Sequence, residues 1–329
     1  MSAKPLASIS LDLDNQWSYM KTHGDPAWAE LPSYLDVFVP HVLGVLEELG
    51  LEITFFIVGQ DAALARNREA LGQITAKGHE VGNHSFHHEQ WIIANPRERI
   101  AAELAAAREA IHRATGQEPL GYRGPGFSWS RELLEVLAEA GYLYDASTLP
   151  SYLGPLARLY YFRQSDLSAE EMEKRKDLFG GFAEGRRPVK PYLWRLGEGR
   201  TLLEIPVSTI PFVKTPFHLS YLMYLSRFST ALMAAYLETA LRLCRLTGTE
   251  PSFLIHPLDL LGPDQAPELA FFPGMDVGSQ RKLEIFHRVL RRLEKSFTLV
   301  NMSQHARRAL ARELPVRAVR GAPGAEVAA

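Results

Sequence analysis

Gly78-His79-Glu80-Val81-Gly82-Asn83-His84-Ser85-Phe86-His87-His88 runs from strand-like alternation into a cluster of histidines. The run His79 to His84 predicts a short strand, because successive side chains of a strand face opposite sides. His84 and His88 stand four residues apart. On a helical turn that spacing puts both imidazoles on one face, where they can share a cation, and His87 then points away. Alone, an H-x-x-x-H pair is more often two surface or capping histidines, so the rest of the chain must decide.

Outward from this stretch, short apolar runs alternate with longer helical patterns. The runs are Leu6 to Leu13, Glu52 to Gly59, Leu120 to Arg123, Tyr142 to Ser147, Leu202 to Thr209, Ser252 to Pro257 and Phe297 to Asn301. The helical stretches are Pro32 to Leu49, Ala62 to Lys77, Pro96 to Thr115, Ser130 to Ala140, Ser220 to Leu246 and Gly278 to Lys295. Strand and helix in alternation predict a parallel sheet covered by helices. Seven or eight such units predict a closed or nearly closed (β/α) barrel, with its active site at the C-terminal ends of the strands. Those ends are polar here: Asp12 and Asp14, His84, Arg123, Asp145 and His256.

In Ser10-Leu11-Asp12-Leu13-Asp14, alternation points both aspartates to one side, where they repel each other unless a cation or an arginine neutralises them. One can complete a two-His-one-carboxylate metal site and the other can act as a base. Tyr122-Arg123-Gly124-Pro125-Gly126-Phe127-Ser128 is a rigid turn presenting one arginine able to pair with the spare carboxylate. Tyr144-Asp145-Ala146-Ser147 and Leu254-Ile255-His256-Pro257 put a carboxylate and a histidine at strand ends, an Asp–His pair suited to a general acid. Each feature alone also reads as a cap, a solvated loop or a structural turn. Five in order, each at a strand end, do not read as coincidence.

Composition excludes other classes. The 329 residues carry a net charge of −2 and no basic tract, so no nucleic-acid surface is expected. The sole cysteine, Cys244, rules out an internal disulfide or a cysteine-rich zinc site and reads as a buried helical thiol. The residues before Leu6 are too few and too polar for a signal peptide, and no run approaches a membrane span. The expected location is the cytoplasm, with peripheral contact at the inner membrane face. A single domain is expected over residues 1–312, with an insertion at about 150–200 that carries the charged stretch Glu170 to Asp177, and a disordered tail from Glu313 to Ala329. No internal repeat is visible.

The pattern from about Ser8 to about Asp259 resembles the NodB-like polysaccharide deacetylases, a family of carbohydrate esterases; Ile53-Thr54-Phe55-Phe56-Ile57-Val58-Gly59 resembles that family's second strand. The resemblance implies a deformed (β/α)7-8 barrel and a divalent metal, zinc or cobalt. By position, Asp14, His84 and His88 resemble the metal triad and Asp12 the catalytic base. Arg123 resembles the arginine that holds the base, and Asp145 with His256 the tuned general-acid pair. Most members carry adjacent aspartates in the first motif, whereas Leu13 separates them here. The D-x-[DE], R-x-P, Y-D-S-S and H-P motifs of an exopolysaccharide-biosynthesis branch are the nearest likeness, with Leu258 where an aromatic is often found.

The implied reaction is hydrolysis of an N-acyl group, acetyl first of all, from an amino sugar. The metal would act as Lewis acid, a backbone N–H near Gly126 or Phe127 would help hold the oxyanion, and His256 would protonate the leaving amine. Alternatives are a deformylase or cyclic-imide hydrolase on the same barrel, and an inactive glycan-binding protein. A cytoplasmic enzyme needs a cytoplasmic substrate, such as a nucleotide sugar, a small glycoside or a lipid-linked sugar. The stretch Phe212 to Leu246, rich in Leu, Tyr and Met, reads as an ordinary barrel helix or as an apolar rim of Phe217, Tyr221, Met223, Tyr224 and Phe228 that meets a membrane or lipid tail.

Overall fold

A computed structural model describes residues 4–164, 167–174 and 180–319. Its strands are β1 (Leu6–Leu13), β2 (Thr54–Ile57), β3 (Glu80–Asn83), β4 (Gly121–Tyr122), β5 (Tyr144–Asp145), β6 (Tyr192–Arg195), β7 (Thr201–Glu204), β8 (Ser252–Ile255), β9 (Thr298–Val300) and β10 (Val316–Ala318). They form one sheet in the order β10-β6-β7-β5-β4-β3-β2-β1-β8, with β9 against β1. All pairings are parallel except β6 on β7. The sheet curls so that the segment after β7 meets β8, where the Ser208 amide and hydroxyl donate to the Ser252 carbonyl at 3.1 and 2.7 Å, leaving β6 and β10 outside this closure. The result is the deformed barrel that the alternation of strands and helices predicts.

β1 is the hub. It pairs with β2 through Ser10–Leu13, with β8 through Ser8–Leu11 and with β9 through Leu6–Ser8, and every residue after Leu6 is buried. A strand buried on both faces is what a parallel sheet under helices requires, and its buried polar members Ser8, Ser10 and Asp12 are bonded to His305 and Arg123. The outer layer is amphipathic helices such as Leu35–Glu48, which seats Leu35, Phe38, Val39, Val42 and Leu46 on the sheet. Cys244 is buried on one of these helices, as expected.

Several elements depart from the sequence expectation. Helix Met302–Leu310 plugs the N-terminal end of the barrel: Met302 N–H donates to Thr54 Oγ1 and Ser303 N–H to buried Glu80. Residues 313–319 are not all tail, because Val316–Ala318 adds β10 to β6; residues 320–329 lie outside the described residues. The 150–200 insertion supplies helices Gly154–Gln164 and Ala169–Lys174 and the antiparallel β6, with part of its charged stretch outside the described residues. Ser220 to Leu246 is two helices, Leu219–Phe228 and Thr230–Thr247. They break at Ser229, whose hydroxyl caps the second by accepting from Leu232 N–H at 3.2 Å. Among the described residues, no helix is long and apolar enough to cross a membrane.

Candidate metal and acid–base site

Parallel strands deliver the polar residues to one end of the barrel. Asp12 and Asp14 lie at the end of β1, His84 just past β3, Arg123 just past β4, Asp145 at the end of β5 and His256 just past β8. A cavity of about 710 Å3 opens there, bordered by Asp12, Asp14, His84, His88, His218 and His256.

The turn carrying the two histidines is not helical. Ser85 and His88 have φ of +61° and +53°, a region most side chains avoid. Specific bonds hold them there. The Gly59 and Gln60 amides donate to the Ser85 and Phe86 carbonyls, both at 2.9 Å, Ser85 N–H donates to Asn83 Oδ1 at 2.9 Å, and His88 N–H donates to Ser85 Oγ at 3.1 Å. Gly59 is required, since a Cβ there would lie 2.7 Å from both Ala107 Cα and the Phe86 ring. His87 does point away, into a bond with Glu103 at 2.8 Å.

Asp14, His84 and His88 present one ligand atom each within 4.8 Å of one another, and all three are buried. Asp14 Oδ1 lies 2.9 Å from His88 Nε2 and 3.4 Å from His84 Nε2, yet no directed hydrogen bond satisfies it. The Arg123 carbonyl can only accept, so the 2.7 Å contact with His84 Nδ1 puts the hydrogen on Nδ1 and leaves the Nε2 lone pair on the Asp14 side. Two imidazole nitrogens and one otherwise orphaned carboxylate oxygen are a donor set that suits a zinc-like divalent ion with open positions. The carboxylate is anchored from behind. The Tyr34 hydroxyl donates to the Asp14 carbonyl, and neighbouring Asn15 donates to buried Asp61 at 2.7 Å. Burial lifts the Asp61 carboxyl to about 7 against the pull of its bonds from Asn15 and Trp17.

Asp12 stands apart from the triad. Its Oδ1 accepts from Arg123 Nη1 at 2.7 Å, and Arg123 is wholly buried, also donating to Ser10 Oγ at 2.8 Å and through Nε to the Ala146 carbonyl at 3.1 Å. The arginine thus ties Asp12 to the cavity wall, outside the cluster of metal-ligand atoms. Gly124 makes the turn after it possible, since a Cβ would sit 2.0 Å from the Ser128 carbonyl oxygen. In that turn the Phe127 amide is taken by the Gly124 carbonyl at 3.0 Å, which removes one of the two amides considered for an oxyanion. Gly126 borders the cavity.

Asp145 departs most from expectation. It is completely buried, does not border the cavity, and makes no hydrogen bond or ion pair with His256 among the described contacts. Its carboxyl faces that of Glu204, and it accepts from Ser147 Oγ at 2.5 Å; Ser147 in turn accepts from Gly124 N–H at 2.8 Å. Burial pushes both carboxyls up; the charge of Asp145 lifts Glu204 furthest, while the bonds from Glu204 and Ser147 pull Asp145 back, so the pair shares a proton held on the Glu204 side. Asp145 therefore braces the Arg123 turn instead of tuning the histidine. The partner of His256 is Asp259, together with Ser220. Asp259 was within reach of the sequence, in Ile255-His256-Pro257-Leu258-Asp259, where the proline marks a tight turn. Glu204, Ser220 and His218 carried no signal of their own. His218 is buried on the cavity wall with Nδ1 unsatisfied, and burial first, then the charge of His256, hold its imidazole neutral, down at about 3.

The apolar rim is partly as expected. Phe217 is wholly buried in the core and Met223 nearly so, whereas Tyr224 and Phe228 are 50% and 69% exposed, with ring centroids 5.3 Å apart. Leu156, 63% exposed, adds to them from helix Gly154–Gln164.

Comparison with known proteins follows the same lines. Residues 29–144 match the polysaccharide deacetylase family model, a segment that contains His84, His88 and Arg123. A peptidoglycan deacetylase of Helicobacter pylori is 30% identical over 131 residues, 40% of this chain and 42% of that protein. A chitooligosaccharide deacetylase of Sinorhizobium fredii is 35% identical over 107 residues, 32% of this chain and 48% of that protein. The chain thus spans under half the length of these relatives. A Mycobacterium smegmatis crystal structure assigned to the polysaccharide deacetylases superposes with a TM-score of 0.59 at 20% identity, covering 97% of this chain and 99% of that one. A 4-alpha-glucanotransferase from Thermococcus litoralis shares the fold at a TM-score of 0.52 and 16% identity, covering 97% of this chain and 42% of that one, so the barrel alone does not name a reaction. Residues 29–144 are thus similar to the polysaccharide deacetylase family, and the barrel around them is a fold shared with a structure assigned to it.

Proposed function

We propose that this protein is a metal-dependent hydrolase that removes an N-acyl group, acetyl in the first instance, from an amino sugar. The observation that carries this reading is the pairing of two separate units in one cavity: a three-ligand cluster, Asp14, His84 and His88, and an Asp12 held off it by Arg123. A divalent ion on the cluster would supply a Lewis acid that polarises the acyl oxygen and acidifies a water. Asp12 takes a proton from that water as its oxygen bonds to the acyl carbon. His256 gives a proton to the amide nitrogen as the C–N bond breaks, releasing the free amine and a carboxylate. Arg123 holds Asp12 in place through the 2.7 Å bond to Oδ1.

The substrate class follows from the cavity's second wall, which Leu153, Leu156, Met223, Tyr224, Leu258 and Phe272 make largely apolar. A sugar alone would leave such a wall facing water. An amino sugar attached to an apolar anchor, as in a glycolipid or lipid-linked sugar, covers it, and exposed Tyr224, Phe228 and Leu156 at the mouth suit contact with a membrane surface. The distance of this wall from the matched segment leaves room for a branch such as exopolysaccharide synthesis.

The test is acetate and formate release by the zinc-loaded protein from matched N-acylated sugars, with and without a polyprenyl anchor, beside flotation with liposomes. Acetate release, faster on the anchored sugar, supports both levels. Formate alone turns the reading to a deformylase. Release of neither from any substrate, with zinc bound, overturns the enzyme in favour of an inactive glycan-binding protein. Equal turnover of both sugars without liposome binding removes only the lipid anchor.

A further inference from the structure

β8 ends at Ile255, and the tight turn Pro257–Asp259 swings Asp259 back over His256. The buried Asp259 Oδ2 accepts the His256 backbone N–H at 2.9 Å and the Ser220 hydroxyl at 3.0 Å. Ser220 Oγ lies 3.2 Å from His256 Nδ1, while the direct distance from Nδ1 to Asp259 Oδ2 is 3.7 Å. A hydroxyl has one hydrogen. Ser220 gives it to the carboxylate, so its lone pair faces Nδ1, and Nδ1 must be the N–H donor. The turn itself is clamped by buried Lys282, whose Nζ donates to the Leu258 and Leu261 carbonyls, each at 2.7 Å, from helix Ser279–Ser296.

We propose that Asp259, acting through Ser220, is the positioning residue that holds His256 as an Nδ1–H imidazole and stabilises its cation, leaving Nε2 to exchange the catalytic proton. This assignment rests on the proposed hydrolysis and gives Asp259 the task that strand position suggested for Asp145. The proton accounting closes. Nε2–H passes to the departing nitrogen, His256 becomes the neutral Nδ1–H tautomer, Asp259 stays a carboxylate, and the proton taken up by Asp12 returns through solvent.

The groups facing His256 come from several elements. Asp12 and Asp14 face it from β1, neutral His218 and Ser220 from the start of helix Leu219–Phe228, and Asp259 from its own turn with Lys282 behind it. Burial disfavours the imidazolium, but the Asp259 carboxylate, 3.7 Å from Nδ1 and bridged to it by Ser220, outweighs it together with the charges of Asp12 and Asp14 and lifts His256 to about 9.

The experiment is a 15N and 13C imidazole titration of the full-length zinc-loaded protein, with His256 assigned by the loss of its signals in His256→Gln. It needs no turnover, so it stands apart from the question of which substrate is cleaved. The expected result is a His256 signal with the proton on Nδ1 and a midpoint that falls by at least about one unit in Asp259→Asn. Ser220→Ala, a milder change that spares the turn, should give a smaller fall and weaken the tautomer preference. Asp145→Asn should leave both readouts in place. An unmoved midpoint in Asp259→Asn together with Ser220→Ala, or an equal fall in Asp145→Asn, would overturn the assignment.

Discussion

The cavity has two unlike walls. One, from Asp12 to Phe127, is mostly polar and hangs on the ends of parallel strands: Asp12, Asp14, His84, His88 and the turn behind Arg123. The other, from Leu149 to Lys282, is mostly apolar and is built by helices and loops, with His218, Ser220, His256 and Asp259 as its main polar members. In the first wall Asp12, His84 and the turn after Arg123 are each bonded to a group at the end of another strand, so their geometry is set by sheet register. The family match, residues 29–144, takes in His84, His88, Gln90, Gly126 and Phe127 of the first wall and none of the second. On the proposed reaction the first wall would hold the metal and the base, and the second the acid and the apolar part of the substrate.

If the walls divide the labour in this way, the largest losses should come from the first. His84→Ala removes one of three ligands whose other nitrogen is bonded to the Arg123 carbonyl. It should release stoichiometric zinc, checked by metal analysis, and lower turnover by more than about a hundredfold while unfolding stays cooperative. Retention of one zinc per chain would remove this residue from the metal site. Asp12→Asn should be as inactive but keep its zinc, separating base from ligand within the same wall.

His256, from the second wall, is the point where the comparison can break. His256→Ala should cost roughly 10²–10⁴ in kcat. The required form is the imidazolium, which is held protonated up to about 9, so wild-type kcat should be flat at neutral pH and fall as pH rises through that value. That alkaline limb should vanish in His256→Ala and move to lower pH in Asp259→Asn. A limb that survives unchanged in His256→Ala belongs to another group, and the acid would then have to be sought in the first wall.

Smaller effects are expected where burial serves structure. The Asp145–Glu204 pair has both carboxyls raised in the folded chain. The sign follows directly: the folded state holds more protons than the unfolded one above the ordinary carboxylate range near 4, so stability is full below that range and is lost as pH rises through the folded titration. Asp145→Asn puts a permanent N–H at the position of the shared proton. It should flatten the pH dependence of denaturant midpoints and be more stable than wild type at pH 8, by about 1 kcal/mol or more. Equal slopes in both proteins would mean that the two carboxyls do not share a proton.

Legibility in the sequence divides along the same line. β1 and β8 could be read because they are largely apolar runs that stop at polar residues, Asp12 and Asp14 for one and His256 for the other, whereas β3, Glu80–Asn83, was legible from its alternation and from the histidines that follow it. β4 and β5, two residues each, were legible only from their flanks. β6 and β10 were missed because they pair with each other outside the alternating pattern, and helix Met302–Leu310 because its role is to plug a barrel not visible in local periodicity. Asp145 misled because alternation and strand position say which end a side chain occupies but not which neighbour it meets. Glu204, on the adjacent strand in register with Asp145, decided that. The bent His84–His88 turn was unreadable because tertiary bonds from Gly59 and Gln60 hold it against its local preference.

The smallest expected effect tests the second wall alone. Tyr224 and Phe228 lie at the cavity mouth, half to two-thirds exposed at 50% and 69%, and neither touches the metal ligands or the acid. Fully burying an aromatic is worth roughly 1.5–3 kcal/mol, so complete cover of the exposed parts of two rings would contribute roughly 2–3.5 kcal/mol; a lipid tail that covers about half of that surface contributes about 1.4 kcal/mol, or tenfold. The double variant Tyr224→Ser, Phe228→Ser should therefore raise KM about tenfold for a polyprenyl-linked N-acetyl sugar and leave kcat unchanged. It should leave both constants unchanged for the same sugar without its anchor, since removing surface rings there removes no contact. A KM that rises equally for both sugars would mean that the rim holds the sugar itself, and the apolar wall would then be a stacking surface for sugar rings instead of a seat for lipid.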